Sequence, residues 1–387
     1  MAALMGNYSR IPLAIESAEG AYVTDEMGKQ YLDFTSGIAV CNLGHRHPAV
    51  ELAVTEQLKK VWHMSNLFEN RLQETVAEAI VQHLEEGQVF FCNSGAEANE
   101  AAIKLARKKT GKTTIFTFQH SFHGRTVAAM TATAQAKIHD GFGPLPTGFT
   151  YLPYNDSAAL KTAIEKDEDV AAVMLELIQG EGGVHVAEQS FIDEVIAICQ
   201  AHNILVIVDE VQTGFGRTGQ LFASQKYSFV PDIMTLAKGI ANGIPAGALY
   251  AKTAVAQAFT PGSHGSTFGG NYLAMAASEA VIKTMTAEGF LAQVDATSIN
   301  LVSELQLLTE KFPFFKTVRG QGLLIGIECD SAVADFITAC RKEGLLVLSA
   351  GTNVLRLLPP LTITTVELNK AIAILTKVLK NKDTIEG

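Results

Sequence analysis

The sequence predicts an α/β protein with two unequal parts, a large domain built on a mainly parallel, mixed sheet and a smaller α+β domain. Short apolar runs are the first reason. QVFFC (88–92), TTIFTF (113–118), VAAVMLEL (170–177), ILVIV (204–208), IMTLA (233–237) and AGALYA (246–251) have strand length, and several are apolar on both faces, as strands covered by helices on both sides must be. The second reason is a change of texture from about residue 271, where a long helical stretch leads into LLIGIEC (323–329) and VLRLL (354–358), interleaved with helical patterns at 331–343 and 365–380. The third is length, since 387 residues make about two domains with a sizeable core.

Helical periodicity places the elements between the strands. Val50, Val54, Leu58 and Val61 mark one face of a helix at 49–62, Leu72, Val76, Ile80 and Leu84 that of a helix at 71–84, and a third spans 96–109. Near the start, AYVTDEMGKQYLDF (21–34) reads as a hairpin turning at Met27-Gly28 that packs with the smaller domain. The expected division is therefore 46–275 for the large domain, with 1–45 and 276–387 forming the small one.

Composition excludes several classes of function. With 40 acidic against 30 basic residues the net charge is -10 and the basic residues are scattered, which argues against nucleic acid as a partner. If the substrate is a small carboxylate, individual arginines must supply positive potential locally. The five cysteines, at 41, 92, 199, 329 and 340, form no CxxC or Cys/His ligand pattern, so neither a disulfide framework nor a metal site is expected. The first twenty residues lack a basic stretch followed by a continuous apolar one, and no apolar run has the roughly 18–20 residues that span a bilayer. The expected compartment is the cytoplasm, with no membrane partner.

Chemistry-bearing residues gather where strands end. Asn93-Ser94-Gly95-Ala96-Glu97-Ala98-Asn99 follows a strand and opens a helix, with Ser94 and Glu97 at capping-box spacing. It is either a well-capped helix or an anion seat, in which the N–H groups of Gly95 and Ala96 receive a phosphate. ILVIV runs into Asp209, Glu210, Val211 and Gln212, placing acids at the carboxyl end of a buried strand, where such sheets bind ligands. A buried carboxylate needs a cation or donors, and a protonated ring nitrogen is one such partner. Lys238 ends IMTLA just before Gly239; a desolvated lysine has a lowered pKa and forms a Schiff base with an aldehyde, whereas a strand-end lysine can also simply reach for solvent.

Gly214-Phe215-Gly216-Arg217-Thr218-Gly219 matches GxGxxG, the dinucleotide pattern, but the two acids before it and the poor helical pattern of LFASQKYSFVP after it argue against that reading. A glycine-rich active-site loop is expected instead. Phe122-His123-Gly124-Arg125-Thr126 offers a ring to stack on a flat cofactor and a guanidinium to grip a carboxylate. Arg356, inside the apolar VLRLL, demands an anionic partner or substrate.

Six segments occur together and in order: SGAEANEAAIK (94–104), FHGRT (122–126), QGEGG (179–183), DEVQTGFGRTG (209–219), TLAKG (235–239) and HGSTFGGN (264–271). Together they resemble the class III, ornithine-type aminotransferases, from about GHRHP (44–48) through Arg356. The resemblance implies the aspartate-aminotransferase-like fold-type I, the cofactor pyridoxal 5'-phosphate, and a homodimer whose active sites use both subunits. It implies Lys238 as the lysine that carries the cofactor and Asp209 as the carboxylate on its ring nitrogen, these two being the catalytic pair. The implied cofactor contacts also include Gly95 and Ala96 at the phosphate, Phe122 on the ring, the stretch Glu210-Val211-Gln212, and Thr267 at the neighbouring subunit's phosphate. For the substrate it implies Arg125, Arg356 and Glu181, with Glu181 a movable mask over Arg356, and Ser266, beside Thr267, reaching the neighbouring subunit's site. Ser65-Asn66-Leu67-Phe68, the length and the wording of 264–271 are similar to family members that pass the δ-amino group of N2-acetylornithine to 2-oxoglutarate, giving the semialdehyde and glutamate. Ornithine, succinylornithine and 4-aminobutyrate are the alternative amino donors.

Overall fold

The computed structural model describes residues 3–386. Met1, Ala2 and Gly387, at the ends of the expected small domain, lie outside them. Seven strands form the central sheet: β1 (Gly87–Cys92), β2 (Thr114–Phe118), β3 (Phe149–Leu152), β4 (Val170–Leu175), β5 (Leu205–Asp209), β6 (Ile233–Leu236) and β7 (Gly247–Lys252), in the order β1-β7-β6-β5-β4-β2-β3. β7 alone runs opposite to the other six strands. Every residue of β2 and β4 is buried, which explains why these strands read as continuous apolar runs. The edge strand β3, FTYL, escapes sequence reading because its two central residues are exposed and it has no apolar run.

Because six strands run in one direction, the loops after β1, β2, β5 and β6 open on the same edge of the sheet. Helix α1 (Gly95–Thr110) follows β1 directly and packs across β7 and β6, burying Ala98, Ala101, Ala102 and Leu105. The helix expected at 49–62 is Pro48–Leu58. It stops early: Gln57 turns its side chain to donate to the carbonyl of Val61 at 2.6 Å.

The smaller unit contains the antiparallel strands β8 (Phe315–Gln321), β9 (Leu324–Cys329) and β10 (Val354–Leu357), with Leu348–Ser349 at the edge and helices Ala334–Lys342 and Thr365–Glu386 beside them. The mostly polar β8, another strand without an apolar run, was not expected. The N-terminal hairpin, Tyr22–Asp25 with Gln30–Asp33, turns through Gly28 at φ 78° and is joined in parallel by Leu345–Leu346. Residue 275 falls inside the continuous helix Tyr272–Met285, which packs against Pro48–Leu58 and Arg71–Val81. All five thiols are free. Among the described residues no helix is long and apolar enough to cross a membrane.

Candidate active site

A cavity of about 430 Å³ opens at the carboxyl edge of the sheet, and Gly95, Ala96, Phe122, Asp209, Gln212 and Lys238 are among the residues that line it. Asp209 enters from the end of β5. Its Oδ2 accepts from Asn99 Nδ2 and from His123 Nδ1, each at 2.8 Å, and its Oδ1 accepts from the Val211 N–H at 3.0 Å. Asn99 also donates to the His123 carbonyl at 2.6 Å and accepts from Thr235 Oγ1 at 2.7 Å, so one amide links α1 to β5, β6 and the loop after β2. Burial disfavours a charge on His123, but the hydrogen bond and negative charge of Asp209 outweigh it and raise its pKa. The carboxylate is thus anchored from one side by an amide, an imidazole and a backbone N–H.

At the start of α1, Ser94 Oγ accepts from the Glu97 N–H at 3.2 Å and the Ser94 carbonyl accepts from Ala98. Glu97 reaches back to the N–H of Asn93, one residue before the position a capping box uses. Among the described residues the N–H groups of Gly95 and Ala96 have no acceptor. A Cβ on Gly95 would stand 2.6 Å from Val211 Cγ1, and one on Gly124 would stand 2.9 Å from Ala96 Cβ. Both glycines therefore keep the seat open.

Lys238 follows β6 with φ 47°, a left-handed backbone that is strained for a residue with a side chain. Among the described residues its amine has no hydrogen-bond partner, and burial lowers its pKa, opposed by the charge of Glu181. Arg356, on β10 and 2% exposed, does not line the cavity itself but meets Glu181 and Gln212, which do. Its Nη1 donates to the Gly180 carbonyl at 2.7 Å, Glu181 Oε1 at 2.6 Å and Gln212 Oε1 at 3.2 Å. Burial alone would raise the Glu181 pKa; the Arg356 charge and hydrogen bond hold it below the ordinary value. Arg125 is exposed at the cavity wall, its guanidinium 5.7 Å from the centre of the Phe122 ring.

Residues 4–379 match the sequence profile of the family Aminotransferase class-III. The chain is a class-III aminotransferase. An acetylornithine aminotransferase of Bacillus subtilis is 54% identical over 373 residues, 96% of each chain. Among solved structures, an N-acetylornithine aminotransferase of Stenotrophomonas maltophilia superimposes with a TM-score of 0.86 at 36% identity over 98% of each chain. The ornithine aminotransferase of Toxoplasma gondii gives 0.94 at 32%, covering 99% of this chain and 93% of that one. The fold is accordingly that of the fold-type I enzymes.

The residues of this class-III aminotransferase fit pyridoxal 5'-phosphate: unpaired N–H groups at a helix start for a phosphate, an anchored carboxylate for a ring nitrogen, and an unpartnered amine for an aldehyde. Two expectations need correction. Glu210 does not face the cavity: side chains alternate along a strand, and its carboxylate instead accepts from the Ala223 and Ser224 N–H groups at 2.8 Å and from Thr213 Oγ1 at 2.9 Å. Residues 214–219 are buried against the smaller unit, so the glycine-rich stretch is no active-site loop beyond Val211 and Gln212. Ser266 and Thr267, expected to serve the neighbouring subunit, are not among the residues lining the cavity of their own chain; Ser266 Oγ accepts from Asn93 Nδ2 at 3.1 Å and Thr267 is exposed.

Sequence reading missed two residues and undervalued a third. Asn99 is an amide buried in the interior of a helix, an environment unfavourable enough to have been a signal. Glu176 interrupts an otherwise apolar strand segment. It accepts from the Phe122 N–H at 2.9 Å and the Gly180 N–H at 3.3 Å, and burial raises its pKa. His123, to which the sequence pattern assigned no chemical role, is one of the donors to Asp209.

Proposed function

We propose that this enzyme transfers the δ-amino group of N2-acetyl-L-ornithine to 2-oxoglutarate, giving N-acetyl-L-glutamate 5-semialdehyde and L-glutamate, a step of arginine biosynthesis in the cytoplasm. The observation that carries the reading is the Glu181–Arg356 pair, a buried cation masked by a partly exposed carboxylate, in a chain half identical to acetylornithine aminotransferases.

Pyridoxal phosphate, when bound, supplies an aldehyde that condenses with amines and a ring that accepts the electrons of a neighbouring C–H bond. Asp209 would hold the protonated ring nitrogen, backed by Asn99 and His123. Gly95 and Ala96 would hold the phosphate, Phe122 and Val211 the ring, and Gln212 the phenolic oxygen. Lys238, buried and with its pKa lowered, would serve as the base for the proton on the substrate carbon that bears the amino group. Arg125 anchors the carboxylate remote from the reacting carbon. Arg356 stays masked by Glu181 for the acetylated amine and, unmasked, binds the α-carboxylate of glutamate.

The reading includes a homodimer with shared active sites. Ser266 and Thr267 lie outside their own cavity beside exposed Trp62, Leu67, Phe68 and Phe268, an apolar surface suited to a second copy. It also divides the chain near residues 46 and 275. A competition assay with acetylornithine, ornithine, succinylornithine and 4-aminobutyrate against 2-oxoglutarate tests the substrate: acetylornithine should have the highest kcat/KM, and a clear preference for another donor refutes the assignment.

A further inference from the structure

The loop after β5 carries glycines that bind no phosphate, and their surroundings give another reason for them. A Cβ on Gly216 would stand 2.7 Å from Leu361 Cδ1, and one on Gly219 would run into the Asp295 carboxylate. From the other side, a Cβ on Gly322 would run into the backbone of Thr218. The loop is nested against the smaller unit too closely for side chains.

At its centre stands Arg217, fully buried and with no ion-pair partner among the described residues. An uncompensated buried guanidinium is unfavourable unless its N–H groups find strong acceptors. Nη1 donates to the carbonyls of Leu323 at 3.1 Å and Pro359 at 2.5 Å, and Nη2 donates to Asn42 Oδ1 at 2.5 Å. Leu323 immediately precedes β9 and Pro359 follows β10 by two residues, while Gly326 of β9 pairs with Arg356 of β10. One side chain therefore grips the end of the strand pair that presents Arg356.

Asn42 completes the joint. Its Nδ2 donates to the Phe215 carbonyl at 2.9 Å, its own carbonyl accepts from Leu361 at 2.7 Å, and its amide lies where any side chain on Gly239, next to Lys238, would have to go. We propose that Arg217, held by Asn42, is a positioning residue that sets the stance of Arg356 relative to Lys238 and so decides how well the enzyme takes dicarboxylates. Neither side chain lines the cavity; the grip of Arg217 reaches it through the strands that carry Arg356 and so through Glu181 and Gln212, which line it. Arg356 is sensitive to such control because its Nη1 meets three acceptors within 3.2 Å at once.

The inference rests on the two-substrate function proposed above. Arg217→Lys keeps the charge but not the fork that bridges two chain segments. Single-turnover absorbance of the cofactor-loaded variant separates the half-reactions. The apparent KM for L-glutamate and for 2-oxoglutarate should rise roughly tenfold or more, while kcat/KM for N2-acetylornithine changes less than about threefold, as expected when a binding group is displaced by about an ångström. Equal losses in both half-reactions, or a variant indistinguishable from wild type, overturn the proposal. If Arg217→Lys does not accumulate with cofactor bound, Asn42→Ser carries the same test: it leaves the guanidinium in place and removes one acceptor, and a uniform loss there overturns it as well. A wild-type enzyme inactive toward L-glutamate refutes the two-substrate function and this inference with it; an active wild type with a uniformly impaired variant refutes this inference alone.

Discussion

Glu181→Gln removes the charge that masks Arg356 and leaves an acceptor of the same shape. Glu181 Oε1 lies 2.6 Å from Arg356 Nη1, with side-chain exposures of 30% and 2%. A hydrogen bond to a charged group contributes about 1.5–3 kcal/mol, about twice a neutral one. The partial exposure of Glu181 favours the lower half of that range, so the amide should loosen the mask by about 1 kcal/mol. The α-carboxylate of glutamate, which must displace the mask, should then react with kcat/KM raised about fivefold. Acetylornithine should lose a similar factor, because an unmasked Arg356 competes with Arg125 for its single carboxylate. That loss would not reflect a protonated base: Glu181 raises the Lys238 pKa, so removing its charge favours the neutral amine. Single-turnover measurements of both half-reactions over substrate concentration read the ratio directly. An unchanged ratio, or a loss confined to glutamate, refutes the mask.

Arg356→Ala should lower kcat/KM for glutamate about 10- to 100-fold, the worth of a charge-assisted pair, while sparing acetylornithine; equal loss in both is the contrary result. Gly95→Ala places a Cβ 2.6 Å from Val211 Cγ1, and overpacking of about 1–3 kcal/mol at the phosphate seat should weaken cofactor affinity, read by titrating the stripped protein. His45 donates to Asp33 at 2.8 Å, and its hydrogen bonds with Asp33 and Cys41 raise its pKa to about 10. A raised pKa gives stability that is complete below the ordinary histidine value of 6.5 and is lost as pH climbs through about 10. The thermal midpoint should therefore fall between these limits in the wild type and fall less in His45→Gln; parallel curves would remove the pair from the account. On the acid side, the Glu181 pKa is held down by Arg356, so that pair's contribution is present above the ordinary glutamate value of 4.5 and fades only as pH drops through the lower folded value.

Much of the fold was legible in the chain because strands buried on both faces must be apolar throughout. Five of the six runs expected as large-domain strands are parallel strands, and AGALYA is β7, whose antiparallel direction no local pattern could state. β3 and β8 were illegible because an edge strand needs little apolar surface. In the site, Asp209 and Lys238 stood out as charges at the ends of apolar strands, and Arg356 as a charge inside one.

Tertiary structure decided which way those charges face and whom they meet. Asp209 and Glu210 are adjacent in sequence, yet one enters the cavity and the other secures residues 223 and 224 on the far side. The pairing of Glu181 with Arg356 spans 175 positions and depends on a strand of the smaller unit reaching the large one. The sequence by itself determined the chemistry available, since a buried charge must find a partner. Only the fold chose the partner, because a loop's glycines and an arginine's acceptors are set by which surface is packed against them. In GFGRTG that surface is the smaller unit, and the segment that mimics a nucleotide loop is a joint between the two parts of the enzyme.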